Sequence, residues 1–249
     1  MAKMEAVNNI WRGEERSQKV RPLTRIGIQI NLLLLALISP AHAEEMLTDL
    51  VIRGDLRAVK VALDRGASVN RANAHGDTAL FLAVNRGQIE LVRILLQQGA
   101  DANLTNRFGM SPLALAALRG YQHIVSELIA SGARVNLGQD AVTAPLYNAV
   151  LLNRTETVEL LLSNGADANL RDGNGDGLLS LASIRGYIGV VRSLLEHGAL
   201  SNQIDSKGRS PLYWAILKRH REVAKALLWS GADAGAMSLE VFDEPISAN

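Results

Sequence analysis

An all-α solenoid of stacked helix–turn–helix units is the fold class this sequence predicts, and three features sharing a period of 33 residues predict it. Gly-Ala pairs fall at Gly66-Ala67, Gly99-Ala100, Gly132-Ala133, Gly165-Ala166, Gly198-Ala199 and Gly231-Ala232. An asparagine follows the glycine by four residues at Asn70, Asn103, Asn136, Asn169 and Asn202. Paired leucines precede it at Leu95-Leu96, Leu161-Leu162, Leu194-Leu195 and Leu227-Leu228. A unit of this size cannot bury its apolar face alone and must stack on its neighbours.

Residues 1–43 precede the first unit and read as a targeting segment. The first 25 residues are polar and carry Lys3, Arg12, Arg16, Lys19, Arg21 and Arg25. An uncharged stretch follows from Ile26 to Ser39, centred on Leu32 to Ile38. Pro40 then ends the apolar run, and Ala41 and Ala43 put small residues where a signal peptidase reads. This order is that of a secretory signal peptide, with cleavage expected between Ala43 and Glu44. The alternative is an uncleaved anchor, although 14 residues fall short of the roughly 20 needed to span a bilayer. Removing residues 1–43 takes six basic and three acidic residues from totals of 26 and 25, leaving 20 and 22 and a net charge of −2. An exported chain without cysteine suits a bacterial periplasm better than a disulfide-dependent secretory route.

The repeat divides the rest into units 44–71, 72–104, 105–137, 138–170, 171–203 and 204–236, with 237–249 as a C-terminal tail. The first unit is short and lacks an opening turn. In the second, Thr78 to Val84 opens a helix that Gly87 ends with a left-handed cap. Ile89, Val92, Leu95 and Leu96 then mark the inner face of a second helix, with Glu90, Arg93 and Gln97 outward. In the third and sixth units Ser111-Pro112 and Ser210-Pro211 supply a capping hydroxyl and a proline at the first helical position. Asp, Asn and Gly residues between units suit projecting β-turns. The fourth unit is the least regular, with Val142 for the turn glycine, Asn153 for the interhelical glycine and Asn148 at an apolar position. Asn153 tolerates a left-handed conformation, and Asn148 needs a partner if buried. In the sixth, Trp229 stands where Asp64, Gln97, Ala130, Ser163 and Glu196 stand earlier, and the tail's Met237, Leu239, Val241 and Phe242 are expected to fold back and cover it.

These units resemble ankyrin repeats. The family pattern of turn, Thr-Pro-Leu helix start, interhelical glycine, paired leucines and Gly-Ala-Asp-Val-Asn close runs through Asn73–Asn103, Asn106–Asn136, Gln139–Asn169, Asp172–Asn202 and Asp205 onward. Each unit departs from it at the family histidine, where Phe81, Ala114, Tyr147, Ser180 and Tyr213 stand. The resemblance implies a scaffold that binds another protein through a groove formed by the first helices and the turn tips.

Composition and motifs exclude most other chemistry. The full chain balances 26 basic against 25 acidic residues, so no global positive field for nucleic acid exists. Zero cysteines remove disulfides, thiol catalysis and thiolate metal sites. Asp172 to Gly177 matches the start of a calcium loop, but its twelfth position is Ser183 where a bidentate Glu is required. His75, His123, His197 and His220 fall one per unit, and His42 lies in the leader, so no zinc pair is encoded locally. No nucleophile elbow or phosphate loop occurs. A monomer with no enzyme activity, no metal and no cofactor is expected.

The two positions before each interhelical turn are expected to be free of packing duties. The second holds Arg53, Arg86, Arg119, Leu152, Arg185 and Lys218; the first holds Ile52, Asn85, Leu118, Leu151, Ile184 and Leu217. A basic line thus runs beside an aliphatic line. One reading is a complement to the negative ends of the first helices; the other is a partner groove, extended by turn-tip residues Arg107, Phe108, Met110, Lys207 and Arg209. A membrane-tethered version of the same module, or a small-ligand or enzymatic activity built on the groove, are the alternatives to a free protein-binding scaffold.

Overall fold

The computed structural model describes residues 40–138 and 143–235, with side chains from Leu47 onward. Within them twelve α-helices run in six consecutive pairs: α1 (Pro40–Arg53) and α2 (Leu56–Asp64), α3 (Ala79–Asn85) and α4 (Ile89–Gln97), α5 (Pro112–Arg119) and α6 (Gln122–Ala130), α7 (Pro145–Leu151) and α8 (Thr155–Ser163), α9 (Leu178–Arg185) and α10 (Ile188–Glu196), α11 (Pro211–Leu217) and α12 (Arg221–Trp229). The described part is all-α, with only isolated bridges Ala72↔Thr78 and Arg171↔Gly177 at the bases of two turns. Pro40, which follows the apolar run, opens α1, as a residue without an N–H can at a helix start. The expected cleavage point between Ala43 and Glu44 therefore falls inside α1. Residues 1–39 of the leader and the tail from 236 lie outside the described residues.

Helix starts follow the expected chemistry. Thr78 Oγ1 accepts from the Phe81 amide at 3.2 Å, Ser111 Oγ from Ala114 at 3.1 Å and Ser210 Oγ from Tyr213 at 3.1 Å. The fourth unit, the least regular in sequence, starts α7 at Ala144 without a side-chain cap. In α4 Leu91, Val92 and Leu95 are buried while Glu90, Arg93 and Gln97 face out. The core is a continuous apolar column contributed by every unit, from Leu47 and Leu50 through Phe81, Leu113, Leu146 and Leu178 to Leu212. Asn148 lies inside it and is not without a partner.

The period-marking asparagines tie each unit to the next. Asn103 Oδ1 accepts from the Arg134 amide at 2.8 Å, and its Nδ2 donates to the Gly132 carbonyl at 3.1 Å. Asn70, Asn136, Asn169 and Asn202 repeat this pair of bonds to Gly99 and Asp101, Gly165 and Asp167, Gly198 and Leu200, and Gly231 and Asp233. The ladder explains why the asparagine and the Gly-Ala pair share one period.

The turn between the helices of each pair needs a left-handed residue. Gly120 and Gly186 take it with φ of 72° and 71°, and Asn153 does so with φ 55°, as expected. Arg219 also adopts it, at φ 59°, which the sequence reading did not anticipate. A side chain there costs about 1 kcal/mol, yet space permits it. A Cβ on Gly120 would meet Arg154 at 2.8 Å, and one on Gly186 would meet His220 at 2.6 Å, both from the following unit. After Arg219 no such unit lies over the turn among the described residues.

Replacing Asn103 by Ala removes both inter-unit bonds at one junction and is expected to cost about 1–2 kcal/mol. Asn103→Asp, which keeps the acceptor and loses the donor, falls between. Thermal unfolding of the two variants checks this; an unchanged Tm for Asn103→Ala would mean that stacking alone sets the unit spacing.

Candidate functional site

The basic line is real but uneven. Arg53, Arg86, Arg185 and Lys218 project from the ends of first helices and are exposed, and Leu152 interrupts them in the fourth unit. Arg119 is different. Its Nη2 donates to Asn85 Oδ1 of the preceding unit at 3.0 Å, and its Nε is buried without a hydrogen bond among the described residues. It holds two units together, so the expectation that this position carries no packing duty fails there.

The aliphatic line fails that expectation more broadly. Leu118 is only 9% exposed, and Ile52, Leu151 and Ile184 are half-buried, as is Asn85. Leu118 thus belongs to the core, and the others are partly covered. Leu217, in the last unit, is 53% exposed. Leu118 is therefore closed to a partner, while Leu151 and Ile184 are partly exposed.

At the third unit's turn tip Phe108 is 51% exposed, with the Arg107 guanidinium 4.8 Å from its ring centroid. Met110, expected beside it, turns inward and is 2% exposed, because its backbone carbonyl closes the turn by accepting from the Asn106 amide at 3.0 Å. The surface pair at this tip is Arg107 and Phe108. Between the fourth and fifth units the half-buried Tyr147 faces the charges of Asp172, Arg185 and Asp176; burial, and next the Asp172 carboxylate, push its phenol above the ordinary value.

The loop at Asp172 is used for turn geometry. Asp172 Oδ1 accepts from the Asn174 and Asp176 amides at 2.8 and 3.0 Å, and Asp176 Oδ1 accepts from the Ser206 amide and hydroxyl at 3.2 Å. Among the described residues no three His, Cys, Asp or Glu side chains come together as a metal site. His197 Nδ1 lies 2.9 Å from the Ser193 carbonyl and His220 Nε2 lies 3.2 Å from that of Ile184, both structural contacts, while His75 and His123 are exposed. No described helix is long and apolar enough to cross a membrane.

The last unit holds a cluster that the sequence reading missed. Asp205 accepts from the Lys207 and Arg209 amides at 2.8 Å, from Trp214 Nε1 at 3.0 Å and from Arg209 Nε at 3.2 Å. The Arg209 guanidinium lies 4.0 Å from the Trp214 ring centroid. Arg209 is thus half-buried structure, while Lys207 remains exposed. Leu200 and Ile204 were also missed; both are exposed apolar residues. The signal was available, since Leu200 occupies the position of Asp101, Arg134 and Asp167, and Ile204 that of Thr105 and Arg171. Trp229 is 85% exposed, and the tail expected to cover it lies outside the described residues.

Comparison with known proteins matches a family model of ankyrin repeats in three copies to residues 47–139 and again to 146–238. Solved structures similar to this chain include an ankyrin repeat domain from Acinetobacter baumannii AYE, 28% identical with a TM-score of 0.71 over 76% of this chain and all of that one. The ankyrin repeat domain of Bcl-3, described as a unique member of the IkappaB protein family, is 29% identical with a TM-score of 0.67 over 76% of this chain and 86% of its own. The human ASB11 ankyrin repeat domain is 26% identical with a TM-score of 0.66 over 78% and 87%. A search of curated protein sequences returned no match.

The Asp205 cluster makes a pH prediction. Burial raises its carboxyl, but the Arg209 and Lys207 amides, the Trp214 indole and the Arg209 charge outweigh this and hold it below the ordinary value. A carboxylate depressed in the folded state stabilises above its unfolded pKa, and that stability is lost as pH falls through the folded value. Asp205→Ala should therefore cost about 2 kcal/mol at neutral pH, and the gap to the parent should narrow below about pH 4. Melting curves from pH 7 to 2.5 check this; a gap independent of pH would remove the charge from the explanation.

Proposed function

The chain belongs to the ankyrin-repeat family, and from that premise we propose that it is an exported, non-catalytic scaffold that binds an acidic protein surface along Arg53, Arg86, Arg185 and Lys218 and at the Arg107–Phe108 tip. Ankyrin-repeat domains typically bind proteins and are generally non-catalytic. The observation that carries this reading is the exposure of those cations and of Phe108 together. A cation at a helix C-terminus is worth about 0.3–1 kcal/mol through the helix dipole alone, which accounts for the row's position. It does not account for an exposed aromatic at a turn tip.

Export rests on the leader, with a basic segment, an uncharged stretch and Ala41-His42-Ala43 in signal-peptide order. In a bacterial host the destination is the periplasm. N-terminal sequencing of the protein from its native host should begin at Glu44. An intact leader on membrane-fraction protein would make the module tethered, and an intact leader on soluble cytoplasmic protein would overturn export.

With a partner captured by crosslinking in the native envelope, the double variant Arg86→Glu and Arg185→Glu should slow association about tenfold at low salt, with a smaller effect at high salt. Its Tm should stay within about 1 kcal/mol equivalent of the parent, because both sites are exposed. Phe108→Ala should chiefly speed dissociation. Arg119→Glu belongs to a different class: it breaks the bond to Asn85 and should lower Tm. Unchanged affinity in the first three substitutions would place the partner elsewhere.

A further inference from the structure

The last unit presents a face that the inner units hide. Tyr213 and Leu217 are exposed, whereas their counterparts Phe81, Ala114 and Ser180, and Leu118, are buried under the unit that follows. Ile204, 53% exposed, extends this face towards the turn tip. Between them runs a groove of about 550 Å³ lined by Ile204, Arg209, Tyr213, Asp233 and Gly235 among others. Left open, apolar side chains of this size favour association with something that covers them.

We infer that residues 236–249 of this same chain dock along this face as a strap, in the place a seventh unit would take. Gly235 is itself a wall of the groove, so the tail departs from the surface it would cover. Met237, Leu239 and Val241 alternate, which puts them on one edge of an extended segment, and Phe242 follows. Extended, residues 237–242 reach about 20 Å, enough to follow the groove past Ile204 and Tyr213. Charge agrees as well. The tail carries Glu240, Asp243 and Glu244 with no lysine or arginine, while the last unit's rim carries Lys207, Arg209, Lys218 and Arg219. A second copy meeting end to end would set those cations against their own counterparts. A tether also gives the tail an effective concentration in the millimolar range, which a separate molecule does not have. This inference does not rest on the basic row being a partner site.

The test uses the full chain with Met237→Asp, with Ile204→Asp and with both. Thermal unfolding and cleavage by a glutamate-specific protease after Glu240 are the readouts. Docking predicts that each single variant lowers Tm by roughly 2–4 °C and speeds cleavage about tenfold, since cleavage tracks the undocked population. It also predicts that the double variant is no worse than either single one, because one contact is broken from both sides. In a chain ending at Gly235, a synthetic peptide of residues 236–249 should restore the lost stability in trans, and the same peptide with Met237→Asp should not. The inference is overturned if the parent's tail is cleaved as fast as the free peptide and Met237→Asp leaves Tm unmoved. It is equally overturned if sedimentation shows a dimer that Ile204→Asp dissociates and tail removal does not.

Discussion

The structure depends on one repeated pair of hydrogen bonds. An asparagine side chain closing each unit accepts from one backbone amide of the next and donates to one of its carbonyls, at a fixed offset of 31 and 29 residues. Because both bonds involve backbone groups, they fix the next unit's position whatever its other side chains are. The receiving carbonyl belongs to a glycine whose φ is positive at each of the five junctions, from 83° at Gly99 to 82° at Gly231. The alanine after that glycine is small enough to turn into the core beneath it. One geometric requirement therefore fixes three residue types at one spacing, and leaves the turn tips between units free to vary.

The same stacking explains which residues become surface. Leu118 is covered and Leu217, after which no unit lies among the described residues, is exposed, so the two share a register but not an environment. Arg219 shows the converse at the interhelical turn, where a Cβ on Gly120 or Gly186 would press on a side chain of the following unit, although Asn153 is accommodated in the fourth. The last unit is thus the place where rules enforced elsewhere by neighbours are relaxed. Its exposed apolar residues are Ile204, Tyr213 and Leu217, and Leu200 ends the unit before it.

The period made the fold legible in the sequence, down to the left-handed Asn153, because backbone needs are written in residue type. Exposure at the candidate site was legible only in part. Phe108 was read correctly as surface, since a turn tip points away from the stack. Met110, Leu118 and Arg119 were misjudged because their burial comes from the turn's own closure or from an adjacent unit, and a single unit's pattern carries no record of either. The Asp205–Arg209–Trp214 cluster escaped for a related reason. Its members are brought together by the fold of one turn onto the next helix, at spacings with no helical or strand period.

The fourth unit is where several of these constraints slacken at once. Its first helix lacks a side-chain cap, Asn148 replaces an apolar core residue, and Asn153 replaces the turn glycine. The facing helix of the fifth unit contributes two fully enclosed hydroxyls, Ser180 and Ser183, with no hydrogen-bond partner among the described residues. Buried polar groups without partners each weaken the packing around them, and units that contact only neighbours fail first at their weakest junction. The gap in the basic row falls at this same unit, at Leu152, with Arg53 and Arg86 on one side and Arg185 and Lys218 on the other. On the binding mode proposed above, a partner that contacts cations on both sides would span this unit and in doing so would stabilise it. Binding and stability would then be coupled at the unit that departs furthest from the repeat.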